Sequence, residues 1–360
     1  MKKIQLAILI GAAFSASAAI ADSNNGSIAQ NGSDNGATIE QSAGSNGAQA
    51  SIYQDGGFNQ ASVTQTNVST GGWWNGSAYV NQSGSDNTAT VSQSDGSGLY
   101  ASAYQFGTAN KGSLTQTGSN ASASLYQTGT ANNATIDQQG AGNNYNWNGA
   151  SIWQNGNNNT GAITQANSAG VSANIGQDGT ANNSRISQTG LYLTTVNYSY
   201  SYTGPWWGYS GSYSYDTGSY AYTYQQGQGN DASITQSNGG NLQATIQQGG
   251  WICGASGCSN GSATNSRADI SQTGEGNNGS IYQIGDSNTA SINQSGMAPG
   301  ASYNYSYDYA SGASSNQYTG NLAYVAQAGV GQNASIIQTG GGGNYALVNQ
   351  GATSFTPYLK

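Results

Sequence analysis

Residues 105–138 read QFGTANKGSLTQTGSNASASLYQTGTANNATIDQ. In this stretch Gln105, Gln116, Gln127 and Gln138 stand 11 residues apart, and each closes a short alternating run such as Gly112-Ser113-Leu114-Thr115-Gln116. A period of two is the mark of a strand: the small residue, the aliphatic residue and the glutamine share one face, and the residues between them share the other. Gly and Asn fill the gaps between runs, and these residues tolerate the left-handed backbone of tight turns. No 3.6-residue periodicity interrupts this alternation of strand and turn, and the whole chain has only three prolines.

Working outward, ten segments fit Gln-x-Gly-x-x-Asn-x-small-x-Ile/Val/Leu-x-Gln. Their fixed residues are Gln30, Asn35 and Gln41; Gln54, Asn59 and Gln65; Gln82, Asn87 and Gln93; Gln105, Asn110 and Gln116; and Gln127, Asn132 and Gln138. They continue as Gln154, Asn159 and Gln165; Gln177, Asn182 and Gln188; Gln225, Asn230 and Gln236; Gln272, Asn277 and Gln283; and Gln283, Asn288 and Gln294. An eleventh, 327–338, ends on Gln338 and carries Gln332 in place of the Asn. Every run of this kind counted together gives 23 glutamine anchors, from Gln30 to Gln350.

Short strands joined by turns suit a meander, a propeller or a solenoid. A propeller needs roughly 40 residues per blade, and a meander leaves one face of a flat sheet bare. Coils of two strands, about 23 residues each, bring like positions into register at the ~4.8 Å strand spacing. The expected fold is therefore all-β: a cross-β-like solenoid of about 11–14 stacked two-strand coils over 22–360. Ile28, Ile39, Ile52 and Val63 would stack as aliphatic ladders. An unpaired buried amide costs a few kcal/mol, so inward Gln and Asn require that each side chain donate to one neighbouring coil and accept from the other.

Composition narrows the function. The 360 residues include 6% charged residues, 55 Gly, 25 Tyr and no His, which removes the commonest general base and most metal chemistry. Lys2 and Lys3, the apolar run Leu6–Ala19 and Ala19-Ile20-Ala21 read as a secretory signal over 1–21, cleaved after Ala21. Without those lysines the net charge is about −10, which disfavours nucleic acid and anionic membranes as partners. No other apolar run suggests membrane insertion. Glu40 and Glu275 are far apart in the repeat, so neither an enzyme nor a cofactor is expected.

The ten-fold Gln-x-Gly-x-x-Asn-x-Ala pattern with its second Gln resembles the repeat of the curlin family, the subunits of curli amyloid fibres. The resemblance covers 27–350 apart from the longer connections. It implies a β-solenoid that stacks end to end on the surface of a Gram-negative bacterium, contributing to adhesion and biofilm matrix. It also implies export through an outer-membrane secretion machinery, with partners that are other copies of the chain or a related curlin subunit or nucleator. Two features depart from the family pattern. Most repeats lack the serine that curlin repeats carry six residues ahead of the first Gln, although Ser219, before Gln225, matches it, and few residues separate the signal from the first repeat.

With no capping element expected at either end, low charge density and Gln/Asn ladders favour cross-β assembly. Asp34, Asp86 and Asp286 are expected in turns, where they would slow premature association. The residue before each Gln points outward. On first strands it is often aromatic (Tyr53, Tyr104, Tyr126, Trp153, Tyr224), a candidate stripe for stacking on sugars or other fibres. On second strands it is often a hydroxyl: Thr64, Ser92, Thr115, Thr164, Ser187, Thr235. Such an array suits ice binding, but Asp137, Arg185 and Asp269 interrupt it; a monomeric or cell-bound adhesin is the other rival. Longer connections carry Trp73-Trp74, Trp147 and Trp206-Trp207, and the Tyr-rich inserts at about 189–220 and 295–321 read either as degenerate coils or as looped-out segments. Cys253 and Cys258 lie where one strand of the pattern is lost, and a short-loop disulfide is expected of them in an exported protein.

Overall fold

A computed structural model describes residues 24–351 apart from 43, 71–75, 141–146, 204–207, 255–256, 298–301, 309–312 and 319; it describes 195–215, 251–259 and 297–319 by their backbone alone. The expected secretory signal, Trp73, Trp74, Trp206 and Trp207 fall outside the described residues.

Two parallel sheets run the length of the stack, one of 13 strands and one of 11. Each coil contributes one strand to each sheet. Tyr100–Thr108 lies in the first and Lys111–Thr117 in the second, and the next coil places Ala121–Thr130 and Asn133–Gln139 directly above them. The register is unshifted: Gln105 sits on Gln127, Leu114 on Ile136, and Gln116 on Gln138. This is the all-β solenoid the repeat implies, with about 11 turns. A one-residue slip would turn every Ile and Gln to solvent, so the alternation itself pins the register.

The space between the sheets holds one thin apolar layer, including Ile52, Val63, Leu114, Leu125, Ile136 and Ile152. Small residues on one sheet face large ones on the other. A Cβ at Gly112 would already lie 3.0 Å from the Leu125 side chain, which is why the repeat demands Ala, Gly or Ser there. Each buried Ile or Leu stabilises the fold by roughly 1.5–3 kcal/mol relative to exposure. Ile28, in the end strand Asn25–Ser33, is 44% exposed, because among the described residues that strand has a neighbour on one side, where Ile52 stands in register with it.

The corner within each repeat explains the motif's remaining letters. Gly107 has φ +115°, and a Cβ there would sit 2.1 Å from the Gly129 carbonyl oxygen of the next coil. Two residues on, Ala109 adopts φ +58°, a place filled in other coils by Asp34 (+58°), Phe58, Asp86 (+57°) and Asn158. Asp34 and Asp86 are thus turn residues as expected. Asp286 instead ends the strand Asn277–Asp286, and Ser287 takes the left-handed position.

The Tyr-rich inserts are looped out. The first sheet passes from Ser172–Thr180 straight to Tyr220–Gln228, and the second from Asn183–Thr189 to Asp231–Ser237. Between them Thr194–Thr203 and Gly208–Thr217 pair antiparallel, as do Ser302–Asp308 and Ala313–Tyr318. The two hairpins join through Thr194–Thr203 and Ser302–Asp308, making a separate four-stranded sheet. Their Tyr-x-Tyr alternation has strand character but lacks the aliphatic-x-Gln pair that locks a strand into the stack.

The expectation of a lost strand near the cysteines is corrected. Gln243–Gln248 keeps its place in the first sheet, and a hairpin of Gly250–Gly254 and Gly257–Gly261 is inserted at the following corner. Ala263 and Thr264 then rejoin the stack, pairing with Gly227 and Gln228 below and Gly285 and Asp286 above. Cys253 and Cys258 are opposed in the hairpin register; their side chains lie outside the described residues.

Candidate functional site: amide ladders and outer faces

The first-sheet glutamines form one unbroken ladder: Gln30, Gln54, Gln82, Gln105, Gln127, Gln154, Gln177, Gln225, Gln248, Gln283, Gln327 and Gln350. Each donates its Nε2 to the Oε1 of the next at 2.7–2.9 Å. The second sheet has its own, through Gln41, Gln65, Gln93, Gln116, Gln138, Gln165, Gln188, Gln236, Gln272, Gln294 and Gln338, at 2.8–2.9 Å. From Gln41 and Gln54 onward the second N–H of each amide crosses the core to a backbone carbonyl, as from Gln54 to Gly36 O (3.0 Å) and Gln105 to Thr88 O (2.9 Å). A carbonyl only accepts, so the atom facing it is nitrogen, and that fixes the sense of every rung. Both ladders run with all donors aimed toward the C-terminal neighbour. Each amide has three partners and sits at or near zero exposure in the interior coils, so burial costs little.

The asparagines build a third ladder at the corner. Asn35 Oδ1 accepts from the Asn59 backbone N (3.0 Å) and Nδ2 (3.2 Å), while Asn59 Nδ2 reaches the Gly84 carbonyl (3.0 Å). The pattern repeats through Asn87, Asn110, Asn132, Asn159, Asn182 and Asn230. Ser266 then interrupts it: its N donates to Asn230 Oδ1, and its Oγ accepts from the Asn288 N. The ladder ends at Gln332, whose Nε2 turns back to the Ala328 carbonyl and whose buried Oε1 has no partner.

Asn277 does not belong to this ladder. Gln272 lies in a second-sheet strand and Gln283 in the next first-sheet strand, so 272–283 spans the opposite corner. There Asn277 Oδ1 accepts from Asn321 Nδ2 (2.8 Å), and Asn321 Oδ1 accepts from the Asn344 N (3.3 Å) and Nδ2 (3.0 Å). This short ladder escaped the motif because the same edge elsewhere holds apolar residues such as Leu99, Val171 and Leu242. Ser219 shares that edge and accepts from the Leu242 N at 3.1 Å.

The outer faces differ as expected. Tyr53, Asn81, Tyr104, Tyr126, Trp153, Gly176 and Tyr224 align in one column of the first sheet. Tyr53, Tyr126 and Trp153 are exposed. At Gly176 the column is not empty, because the Tyr224 ring leans over it, 2.9 Å from where a Cβ would be. Phe106, outside the column, packs on Tyr126 with ring centroids 5.6 Å apart. On the second sheet Asp137 stands in register between Thr115 and Thr164. Arg185, Ser233 and Asp269 share another column, and Asp269 accepts from Arg267 Nε at 2.8 Å. Among the described residues no group of three or more His, Cys, Asp or Glu gathers into a metal site, and no helix is long and apolar enough to cross a membrane.

Stacked parallel coils with continuous side-chain amide ladders define a β-solenoid repeat protein. The curlin associated repeat matches residues 96–129 and 263–296, which supports a curlin-family protein. No curated protein matches the chain. Repeat family and fold alike are structural rather than enzymatic.

Proposed function

We propose that the chain is an exported structural subunit of a curli-like amyloid fibre on a bacterial surface, assembling end to end by β-augmentation and serving adhesion and biofilm matrix. The observation that carries this reading is the pair of glutamine ladders, each running from one end strand to the other without a break. At the first coil, Gln30 and Gln41 leave Oε1 acceptors unused by a preceding rung. At the other end, Gln338 and Gln350 hold the matching Nε2 donors. Among the described residues, strands Asn25–Ser33 and Tyr345–Gln350 pair with a strand on one side only, which makes each an edge onto which a further parallel strand can add. Partners are then other copies of the chain or a related subunit, delivered by an outer-membrane secretion machinery.

The test is thioflavin T fluorescence after denatured residues 22–360 are desalted into neutral buffer. A lag and sigmoidal rise, shortened by preformed seed, supports the reading. A flat trace over days, with a monomeric mass in solution, favours the adhesin reading, whose support is the four-stranded Tyr-rich sheet standing off the stack.

A further inference from the structure

Over the last coils the tyrosines of the first sheet gather diagonally: Tyr282 keeps the column of Tyr224, and Tyr324 stands two residues off it on the next strand. Tyr282 and Tyr324 belong to the neighbouring strands Asn277–Asp286 and Asn321–Val330, with Ser280 opposite Tyr324 and Tyr282 opposite Ala326. Their rings stack with centroids 5.1 Å apart and planes at 26°. Tyr324 is only 7% exposed, whereas Tyr282 is half-buried. Burial pushes both phenols above the ordinary tyrosine range, so both carry their protons at neutral pH. Other described pairs are less suited to joining. Tyr79 and Tyr100 are 6.0 Å apart and tilted by 48°, and Tyr220 and Tyr222, 6.4 Å apart, lie on one strand, where a link would close too small a ring.

We propose that Tyr282 and Tyr324 are an oxidative cross-linking site, joined as dityrosine by a haem peroxidase acting with hydrogen peroxide. The oxidant takes one electron and one proton from Tyr282, the ring that solvent reaches. The stacked contact lets that radical exchange with Tyr324, and a second one-electron oxidation then leaves both rings as phenoxyl radicals. Their ortho carbons form a C–C bond, and the two displaced ring hydrogens return to the oxygens, restoring two phenols. In sum two phenols lose two hydrogens, and one hydrogen peroxide is reduced to two waters. The bond would tie two successive coils together across the insert that separates them in sequence, removing loop-closure entropy from the unfolded chain. It does not depend on end-to-end assembly.

The experiment treats the folded full chain, as an equal mixture of light and ¹⁵N-labelled protein, with peroxidase and hydrogen peroxide, then maps peptides by mass spectrometry. The expected main product is a peptide pair joining Tyr282 to Tyr324 with two hydrogens missing and no mixed-isotope form. It should be absent from protein oxidised in denaturant, lost in Tyr282→Phe and retained in Tyr220→Phe. The proposal is overturned if the denatured chain gives the same link in equal yield. Mixed-isotope linkage at this pair, or products concentrated instead at the more exposed Tyr53, Tyr126 and Tyr192, would overturn it equally.

Discussion

Ser184 Oγ lies 2.6 Å from Thr223 Oγ1 in the closed core, 39 residues away in sequence. Thr223 stands in the register column of Ile175 and Ile246, and Ser184 in that of Gly161 and Ala232. Two hydroxyls replace two apolar groups at one level of the stack, and each satisfies the other. The expected outcome is strong coupling. Thr223→Val or Ser184→Ala alone leaves a buried hydroxyl unpaired and costs about 1–3 kcal/mol, while the pair replaced together is close to neutral. Denaturant unfolding of the double-mutant cycle checks this; additive losses would mean the hydroxyls act separately.

The glutamine ladder predicts a steeper cost for changes facing inward. Gln127→Leu removes one donor and one acceptor from a continuous chain and leaves the amides of Gln105 and Gln154 each short of a partner. A loss of several kcal/mol is expected, on the order of two unsatisfied buried groups. Ser124→Ala, on the outer face of the same strand, should stay within about 0.5 kcal/mol. Equal losses in chemical denaturation would contradict the assigned facing.

Backbone strain makes a prediction of opposite sign at two nearby positions. Gly107→Ala places a Cβ against the Gly129 carbonyl and should prevent tight stacking of that coil. Ala109 has φ +58°, a conformation that costs an L-residue roughly 1–2 kcal/mol. Ala109→Gly should therefore raise the unfolding midpoint, and no gain would show that the corner relaxes without it.

Tyr192 donates a hydrogen bond to Glu275 Oε1 at 2.5 Å, and that bond is the main reason its pKa is pushed up to about 12. A raised folded-state pKa means the fold holds the proton more tightly than the unfolded chain. The associated stability is fully present below pH 10 and is lost as pH rises toward 12. Several tyrosines should ionise late in an ultraviolet titration, and one of them should move earlier in Glu275→Gln; an unchanged titration curve would exclude the contact.

These particulars show what the sequence could and could not disclose. Gln and Ile are legible because their two-residue offset survives in nearly every strand of the stack, with Ala103 and Thr223 as departures, whatever lies between coils. Asn277 was misplaced because the two corners of the solenoid share a Gly- and Asn-rich composition, and only pairing tells one from the other. The cysteine hairpin looked like a lost strand because an insertion at the Gly corner separates Gln248 from Ala263, which stands where the motif has Gly. Ser184 and Thr223 each look ordinary in a strand of this chain; only the register shows that they meet. The Tyr-rich inserts alternate like strands, and alternation alone does not say which sheet a strand joins.

End-to-end assembly makes the two termini of the ladders special. Gln30→Ala, Asn35→Ala or Gln350→Ala should lengthen the thioflavin T lag and weaken seeding, whereas Ser51→Ala should not. An equal effect from Ser51, whose hydroxyl only accepts from Ser27 on the outer face, would place the joint elsewhere.

The axial repeat of the fibre tests the central claim most directly. Twelve first-sheet strands, from Asn25–Ser33 to Tyr345–Gln350, lie along the stack path, so at the ~4.8 Å strand spacing each chain should advance the fibre by about 58 Å. Cryo-electron microscopy or mass-per-length measurement should find one chain per that distance, with coils stacked along the axis. One chain per single ~4.8 Å layer, each lying flat across the fibre, would contradict the account.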